Sequence, residues 1–362
     1  MTSSKLKSHH VRAAAEPSGP VPVIFDGDMG GDDAWAIMML LAHPDKFRVL
    51  GISSVFGNVD LDKSTKNACD LLAFTGYPYI RVYPGSRSPL SGANMLGDNA
   101  YGEDGLGGVD LGASGVSFQR KHAVEWMGSA LERSKGKVTL FVTGPMTNIA
   151  RVLRDAPHVA GKIERIVAMG GGVAPGPNPD VPGRAGNITE HAEFNFFQDP
   201  YAVNVVAESG VRVDLVTMDA NHNLDFTASR REKILSIHPD SFGQKVARML
   251  DVVAELDMDK FGLRGPAVHD PNVIVYALHP GLYTGKRGAI SVEHGTDAPD
   301  VPFHQQRHGK LHFKEDKKGN VNLITGIKDP DRVFSLMLAS MKRTGDRVAS
   351  LTKQMSAPEV KP

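Results

Sequence analysis

Two rhythms of apolar residues alternate along the chain. Short continuous runs, as buried strands require, are separated by longer stretches whose apolar positions fall three and four apart, as helices require. Val21 to Phe25 reads as a first buried strand, followed by a strongly apolar helix from Ala34 to Ala42. Arg48 to Phe56 predicts a second strand ending at Gly57-Asn58. Leu61 to Phe74 predicts a helix with Ala68, Leu71 and Leu72 among its apolar residues, and Ile80 to Tyr83 a short third strand. This β-α-β-α-β order implies parallel strands joined by right-handed crossovers. Further strands are expected at Lys137–Val142, Ile163–Met169, Val211–Met218, Ala289–Val292 and Val321–Ile324. Further helices are expected at Ala123–Leu131, Met146–Leu153 and from Asp199 to about Glu208, where Asp199 caps and Pro200 takes the first helical position. Phe226 to Lys260 reads as mainly helical with a break near His238-Pro239. Another helix opens at His269-Asp270-Pro271, and a last one spans Asp331 to Met341. The expected fold is α/β, an open, mostly parallel Rossmann-like sheet flanked by helices.

Two stretches interrupt the rhythm. Gly85 to about Lys121 is a long Gly-rich loop containing Tyr101-Gly102-Glu103-Asp104-Gly105-Leu106-Gly107-Gly108. Val173 to Asn187 carries Pro175, Pro177, Pro179 and Pro182. Long irregular loops in compact domains are usually functional or disordered. The second reads equally as a surface excursion or as part of a substrate lid. With no internal repeat and no linker-like stretch, residues 21–345 are expected to form one catalytic domain. Residues 1–20 and 346–362 are expected to be flexible tails.

Composition narrows the class. At 41% hydrophobic and 23% charged, the chain of 362 residues has the make-up of an ordinary soluble globule. Its 41 basic and 41 acidic residues cancel, which speaks against nucleic-acid or anionic-membrane partners. The single cysteine, Cys69, excludes an intrachain disulfide and a thiolate metal cluster. It lies in an apolar helical pattern and reads as a small core residue. No run approaches a transmembrane span, and the first twenty residues lack the apolar middle of a signal peptide. A cytoplasmic protein is expected; a leader removed ahead of this numbering would leave no trace here.

The chemistry gathers where the first run ends. Asp26, Asp28, Asp32 and Asp33 place four carboxylates within eight residues. Asp26 and Asp28 are two apart and share one side of the strand end. Asp32 and Asp33 fall at a helix start, where the dipole favours negative charge. One dipole cannot keep four clustered acids ionised. A hard divalent cation can, and calcium tolerates the irregular geometry such a turn offers. Taken singly, the acids are ordinary helix-start and loop residues; the cluster is what that view leaves unexplained. The other unusual motifs, Gly57-Asn58, Thr143-Gly144-Pro145, Gly170-Gly171-Gly172 and the set Asn187, Glu193, Asn195, also follow predicted strand ends, where parallel sheets bind ligands.

These residues resemble the calcium-dependent nucleoside hydrolases of the inosine–uridine-preferring type. The family pattern Asp-x-Asp-x-Gly-x-Asp-Asp is similar to Asp26-Gly-Asp28-Met-Gly30-Gly-Asp32-Asp33, and Gly57-Asn58, Gly144-Pro-Met-Thr-Asn148, Met169-Gly-Gly, Ala192-Glu193-Phe194-Asn195 with Asp199-Pro200, and His269-Asp270 follow in family order. The resemblance covers roughly Pro22 to Lys342. It implies hydrolysis of the N-glycosidic bond of ribonucleosides to ribose and free base. It further implies one Ca2+ held by Asp28, Asp33, the carbonyl of Thr143 and Asp270, with the ribose 2′- and 3′-hydroxyls completing its shell. Asp32 and Asn58 would bond the 2′ side, Asn195 the 3′ side, and Asn187 and Glu193 the 5′-hydroxyl, with Met169 near the sugar. Asp28 would act as general base on a water and His269 as acid toward the departing base, tasks that oxocarbenium-forming hydrolysis requires. A homodimer or homotetramer is implied as well.

The match has gaps. Many members carry His-Gly where this chain has Tyr101-Gly102, and Tyr101 could stack on a base or pack in its loop. Trp35 and Phe261 are expected in the core rather than in a pocket wall, and Asp26 is expected to orient a ligand rather than bind metal. Two rivals stand beside this assignment. One is a Mg2+-dependent phosphohydrolase of the haloacid-dehalogenase type with Asp26 as nucleophile; the other is a non-catalytic ribose or nucleoside binder.

Overall fold

A computed structural model of the chain describes residues 19–92, 100–112, 115–174, 185–237, 241–295 and 300–356. Most of the expected N-terminal tail, the proline-rich centre of the second loop and the His238-Pro239 break lie outside the described residues.

Among the described residues nine strands form one sheet: β1 (Val21–Gly27), β2 (Phe47–Ser54), β3 (Val82–Pro84), β4 (Val138–Val142), β5 (Ile163–Met169), β6 (Val213–Val216), β7 (Tyr283–Val292), β8 (Leu311–Glu315) and β9 (Val321–Ile327). Their order is β3-β2-β1-β4-β5-β6-β9-β7-β8. From β3 to β9 neighbouring strands are parallel; β7 runs antiparallel to β9 and β8. The expected parallel sheet is thus present, extended by an antiparallel edge. That edge includes β8, whose exposed, charged sequence Leu-His-Phe-Lys-Glu gives no buried-strand signal.

β1 is enclosed on both faces, and its alternating residues serve opposite layers. Val23 and Phe25 join the core under the helices Gly31–Leu41, Leu61–Phe74, Pro271–Leu278 and Pro330–Ser356. Ile24 joins the core under Ala123–Arg133, Thr147–Asp155 and Pro200–Glu208. Burial on both faces is why β1, β4 and β5 read as continuous apolar runs. Trp35 and Phe261 are fully enclosed; the Trp35 indole donates to the Val246 carbonyl at 2.8 Å.

The C-terminal helix corrects an expectation. The chain from 346 onward was expected to be a flexible tail, yet the helix continues through Ser356. Met337, Met341, Thr344 and Val348 keep one face of it against the core. Thr344 donates to the Met38 carbonyl at 3.0 Å, and Arg347 donates to the carbonyls of Thr75 and Gly76 while its guanidinium covers the Tyr77 ring. A polar tail sequence that binds backbone carbonyls in this way gives little hydrophobic pattern to read.

The strand order reverses direction at β1, which lies between β2 and β4. In doubly wound sheets the crevice at such a point, beyond the carboxyl ends of the strands, takes ligands. The acidic turn leaves β1 at that place.

Candidate active site

Beyond β1 the chain turns through Asp28-Met29-Gly30 and enters the helix Gly31–Leu41, with Met29 at φ +50°. The Asp33 carboxylate accepts the Gly30 N–H at 2.8 Å, capping the helix it belongs to. From β2, Gly57 at φ +156° lets the backbone pass against Asp28, and the Asn58 N–H donates to Asp28 Oδ2 at 2.6 Å. From β4, the Thr143 hydroxyl donates to Asp33 Oδ1 at 2.5 Å. Asn195 reaches across from β5's side and donates to the carbonyls of Thr143 at 2.9 Å and Met169 at 3.3 Å. Asp270, just ahead of Pro271–Leu278, arrives from the far end of the chain.

One carboxylate oxygen each of Asp32, Asp33 and Asp270 lie within 4.8 Å of one another. Asp28 stands beside them: after burial, the charge of Asp33 is the largest influence pushing its pKa up. Asp270 is likewise held far above the usual carboxylate range, first by burial and then by the charges of Asp32, Asp33 and Asp28. Burial and the Asp32 charge raise Asp33 to about 7. Asp32 is raised chiefly by burial, although the Tyr101 hydroxyl bonds to it. Asp28 Oδ1 is buried with no hydrogen-bond partner among the described residues.

Asp26 is fully buried and accepts from Ser53 and from Asn148 at 2.8 Å. Ser53 and Asn148 pin it at the strand end, and it lies outside both the Asp32, Asp33, Asp270 group and the lining of the cleft.

Asp32 and Asp270 line a cleft, while Asp28 and Asp33, both fully buried, are not among its lining residues. Asp32, Asn58, Thr143, Met169, Asn187, Glu193, Asn195, His269 and Asp270 all line it, so most of the residues singled out from sequence converge on one cavity. Glu193 caps the short helix Phe194–Gln198 and also accepts the Gly171 N–H at 2.8 Å, tying the end of β5 to this wall. Its burial lifts it to about 7. Asn187 Oδ1 accepts the Phe194 N–H at 2.9 Å. Tyr101, whose role the sequence left open, lines the cleft and bonds to Asp32. Burial pushes His269, also in the cleft lining, down to about 3, so its imidazole is neutral.

Val253, Leu256 and Asp257 also line the cleft, and no sequence motif points to them. Asp257 accepts the Ala267 N–H at 2.8 Å, and burial raises it to about 7. Its signal was faint: among the acids Glu255, Asp257 and Asp259, only Asp257 lies four residues from both Val253 and Phe261 on the buried stripe of its helix.

The model of the inosine-uridine preferring nucleoside hydrolase family matches residues 23–335. The chain is 36% identical over 273 residues to the pyrimidine-specific ribonucleoside hydrolase RihA of Shewanella sp. (strain MR-4), across 75% of this chain and 82% of that protein. Its structure is similar to the plant nucleoside hydrolase PpNRh1, with a TM-score of 0.77 at 27% identity over 89% of this chain and 99% of that one. It is also similar to the purine-preferring ribonucleoside hydrolase from Gardnerella vaginalis, with a TM-score of 0.76 at 25% identity over 91% and 99% of the two chains. The sheet, the cleft at its reversal point and the family match over most of the chain agree: the chain belongs to the inosine-uridine preferring nucleoside hydrolases and cleaves the N-glycosidic bond of ribonucleosides.

Proposed function

We propose that Asp28, Asp33, Asp270 and the Thr143 carbonyl hold a Ca2+ ion, that the ribose lies over this end of the cleft, and that the base lies against His269. The observation that carries the proposal is Asp270, brought from the far end of the chain into a buried cluster of like charges. Such a cluster cannot ionise together without added positive charge. The donors are all oxygen, one is a backbone carbonyl, and Asp28 Oδ1 has no other partner among the described residues, which suits a hard cation of flexible geometry. When bound, such an ion would supply that charge and act as a Lewis acid toward the sugar hydroxyls and a water.

The chain's own residues then divide the work. Asp32 and Asn58 bond the 2′-hydroxyl, Asn195 the 3′-hydroxyl, and Asn187 and Glu193 the 5′-hydroxyl, with Met169 beside the sugar. Asp28 takes a proton from the attacking water as its oxygen bonds to C1′. The C1′–N bond breaks, the bonding pair leaves with the base nitrogen, that nitrogen takes up a proton from solvent, and Asp28 returns the proton it gained to solvent. His269, neutral in its buried setting, assists by donating an N–H hydrogen bond to the departing base.

Chromatography of products from a nucleoside panel tests this. Purine and pyrimidine ribonucleosides both belong in the panel, because the relatives' names divide between them. Release of free base and ribose should stop with chelator and return with calcium. A 2′-deoxyribonucleoside leaves polar groups of the site unpaired and should react at least about 10²-fold more slowly. Full turnover in chelator, or equal turnover of deoxyribonucleosides, would overturn the proposal.

A further inference from the structure

Behind the cleft wall, the turn after β6 holds polar groups that the reaction above does not use. His222 is 7% exposed and packs between two rings: Phe261, with centroids 4.4 Å apart, and His269, at 6.0 Å. Its Nε2 is buried with no hydrogen-bond partner among the described residues, and so is Nδ1 of His269. Asn221, its neighbour in the chain, is fully enclosed with both amide atoms in the same condition. Each such atom costs about 1–3 kcal/mol if left unsatisfied. Native interiors meet that cost with ordered water that bridges the groups. The two imidazoles share no direct hydrogen bond, and with ring centroids 6.0 Å apart a single water between the rings can reach a nitrogen of each.

We propose that His222 is a positioning residue for His269, acting through a single water between His222 Nε2 and His269 Nδ1. This rests on His269 serving the departing base. His222 Nε2–H donates to the water, the water donates to His269 Nδ1, and His269 therefore carries its proton on Nε2, facing the cleft. The opposite arrangement would turn a lone pair toward a nitrogen that is itself gaining a pair. A ring nitrogen's role is set by the bond its other nitrogen makes, and here that bond runs through His222.

Two substitutions separate polarity from packing. His222→Phe keeps a ring against Phe261 and deletes the nitrogen; His222→Gln keeps a polar terminus near the position of Nε2. Each is compared with wild type and His269→Ala on a ribonucleoside and on a riboside with a nitrophenolate leaving group, which departs without a donor. Unfolding temperatures are measured in parallel.

His269→Ala should lower kcat on the nucleoside by about 10²-fold or more and leave the activated riboside within a few-fold. His222→Phe should show the same selectivity at about 10-fold, in kcat rather than KM, and His222→Gln should recover most of the loss. The ¹⁵N shifts of the His269 ring should report protonated Nε2 in wild type and a mixture of tautomers in His222→Phe. Normal nucleoside turnover in His222→Phe, while His269→Ala shows its selective loss, overturns the proposal and leaves the role of His269 intact. Equal losses on both substrates in His269→Ala remove that role, and the proposal with it. Losses in His222→Phe that fall equally on both substrates and track a lowered unfolding temperature reduce His222 to packing and also overturn the proposal.

Discussion

Replacing Gly57 by alanine strikes the site through a single added methyl group. A Cβ on Gly57 would stand 1.9 Å from Asp28 Oδ2, 2.7 Å from its Cγ and 2.8 Å from its Cβ. Ordinary contact begins at 3.4 Å, so the carboxylate must move by about 1.5 Å or the backbone of β2's end must retreat. Either motion also breaks the 2.6 Å bond from the Asn58 N–H. A displacement of about 1 Å at a reacting group costs on the order of 10²-fold in rate. Gly57→Ala should therefore lose at least about 10²-fold in kcat/KM on a ribonucleoside, measured by release of free base. The matched control is Gly210→Ala, at φ +76° with nothing within 4 Å of the added carbon. It carries backbone strain alone, about 1 kcal/mol, and should keep near-normal activity. If Gly57→Ala works within three-fold (about 0.7 kcal/mol) of wild type while remaining folded, Asp28 is not held where the mechanism needs it.

Other outcomes follow from single contacts. Asn195→Ala removes the 2.9 Å bond to the Thr143 carbonyl, and both calcium affinity by calorimetry and kcat/KM should fall about 10–100-fold; unchanged affinity would separate Asn195 from the cation site. Asp257→Asn probes a carboxyl whose folded pKa is raised to about 7, above its unfolded value near 3.8. The acid form is thus favoured by folding: its contribution is fully present below pH 3.8 and is lost as pH rises toward 7. Metal-free Asp257→Asn should therefore be more stable than wild type at pH 8, by at most about 4 kcal/mol, with the difference vanishing near pH 4. Urea unfolding at both pH values reads this, and a difference independent of pH would contradict it.

The sequence made the site more legible than the frame around it. Asp28, Asp32, Asp33, Asn58, Thr143, Asn195 and Asp270 stand out because each breaks an apolar pattern at a strand end or helix start, where a parallel sheet opens its crevice. Asp257 and His222 were missed for the opposite reason. They sit within helix and turn segments whose spacing looks structural, and only the tertiary fold shows that one faces the cleft and the other faces His269. β8 hides because an edge strand tolerates polar residues on its exposed face. The extension to Ser356 hides because Arg347 and Thr344 dock through carbonyls rather than through apolar contact.

Calcium titration into chelator-stripped protein, wild type beside Asp33→Asn and Asp270→Asn, tests the central claim most directly. Wild type should bind one ion, and at a hundredfold excess over Kd should gain about 2.7 kcal/mol of stability. Both variants should bind at least about 10²-fold more weakly and gain little. A wild-type protein that takes up no calcium, or an Asp270→Asn variant that binds it as tightly as wild type, would contradict a cation held between the two ends of the chain.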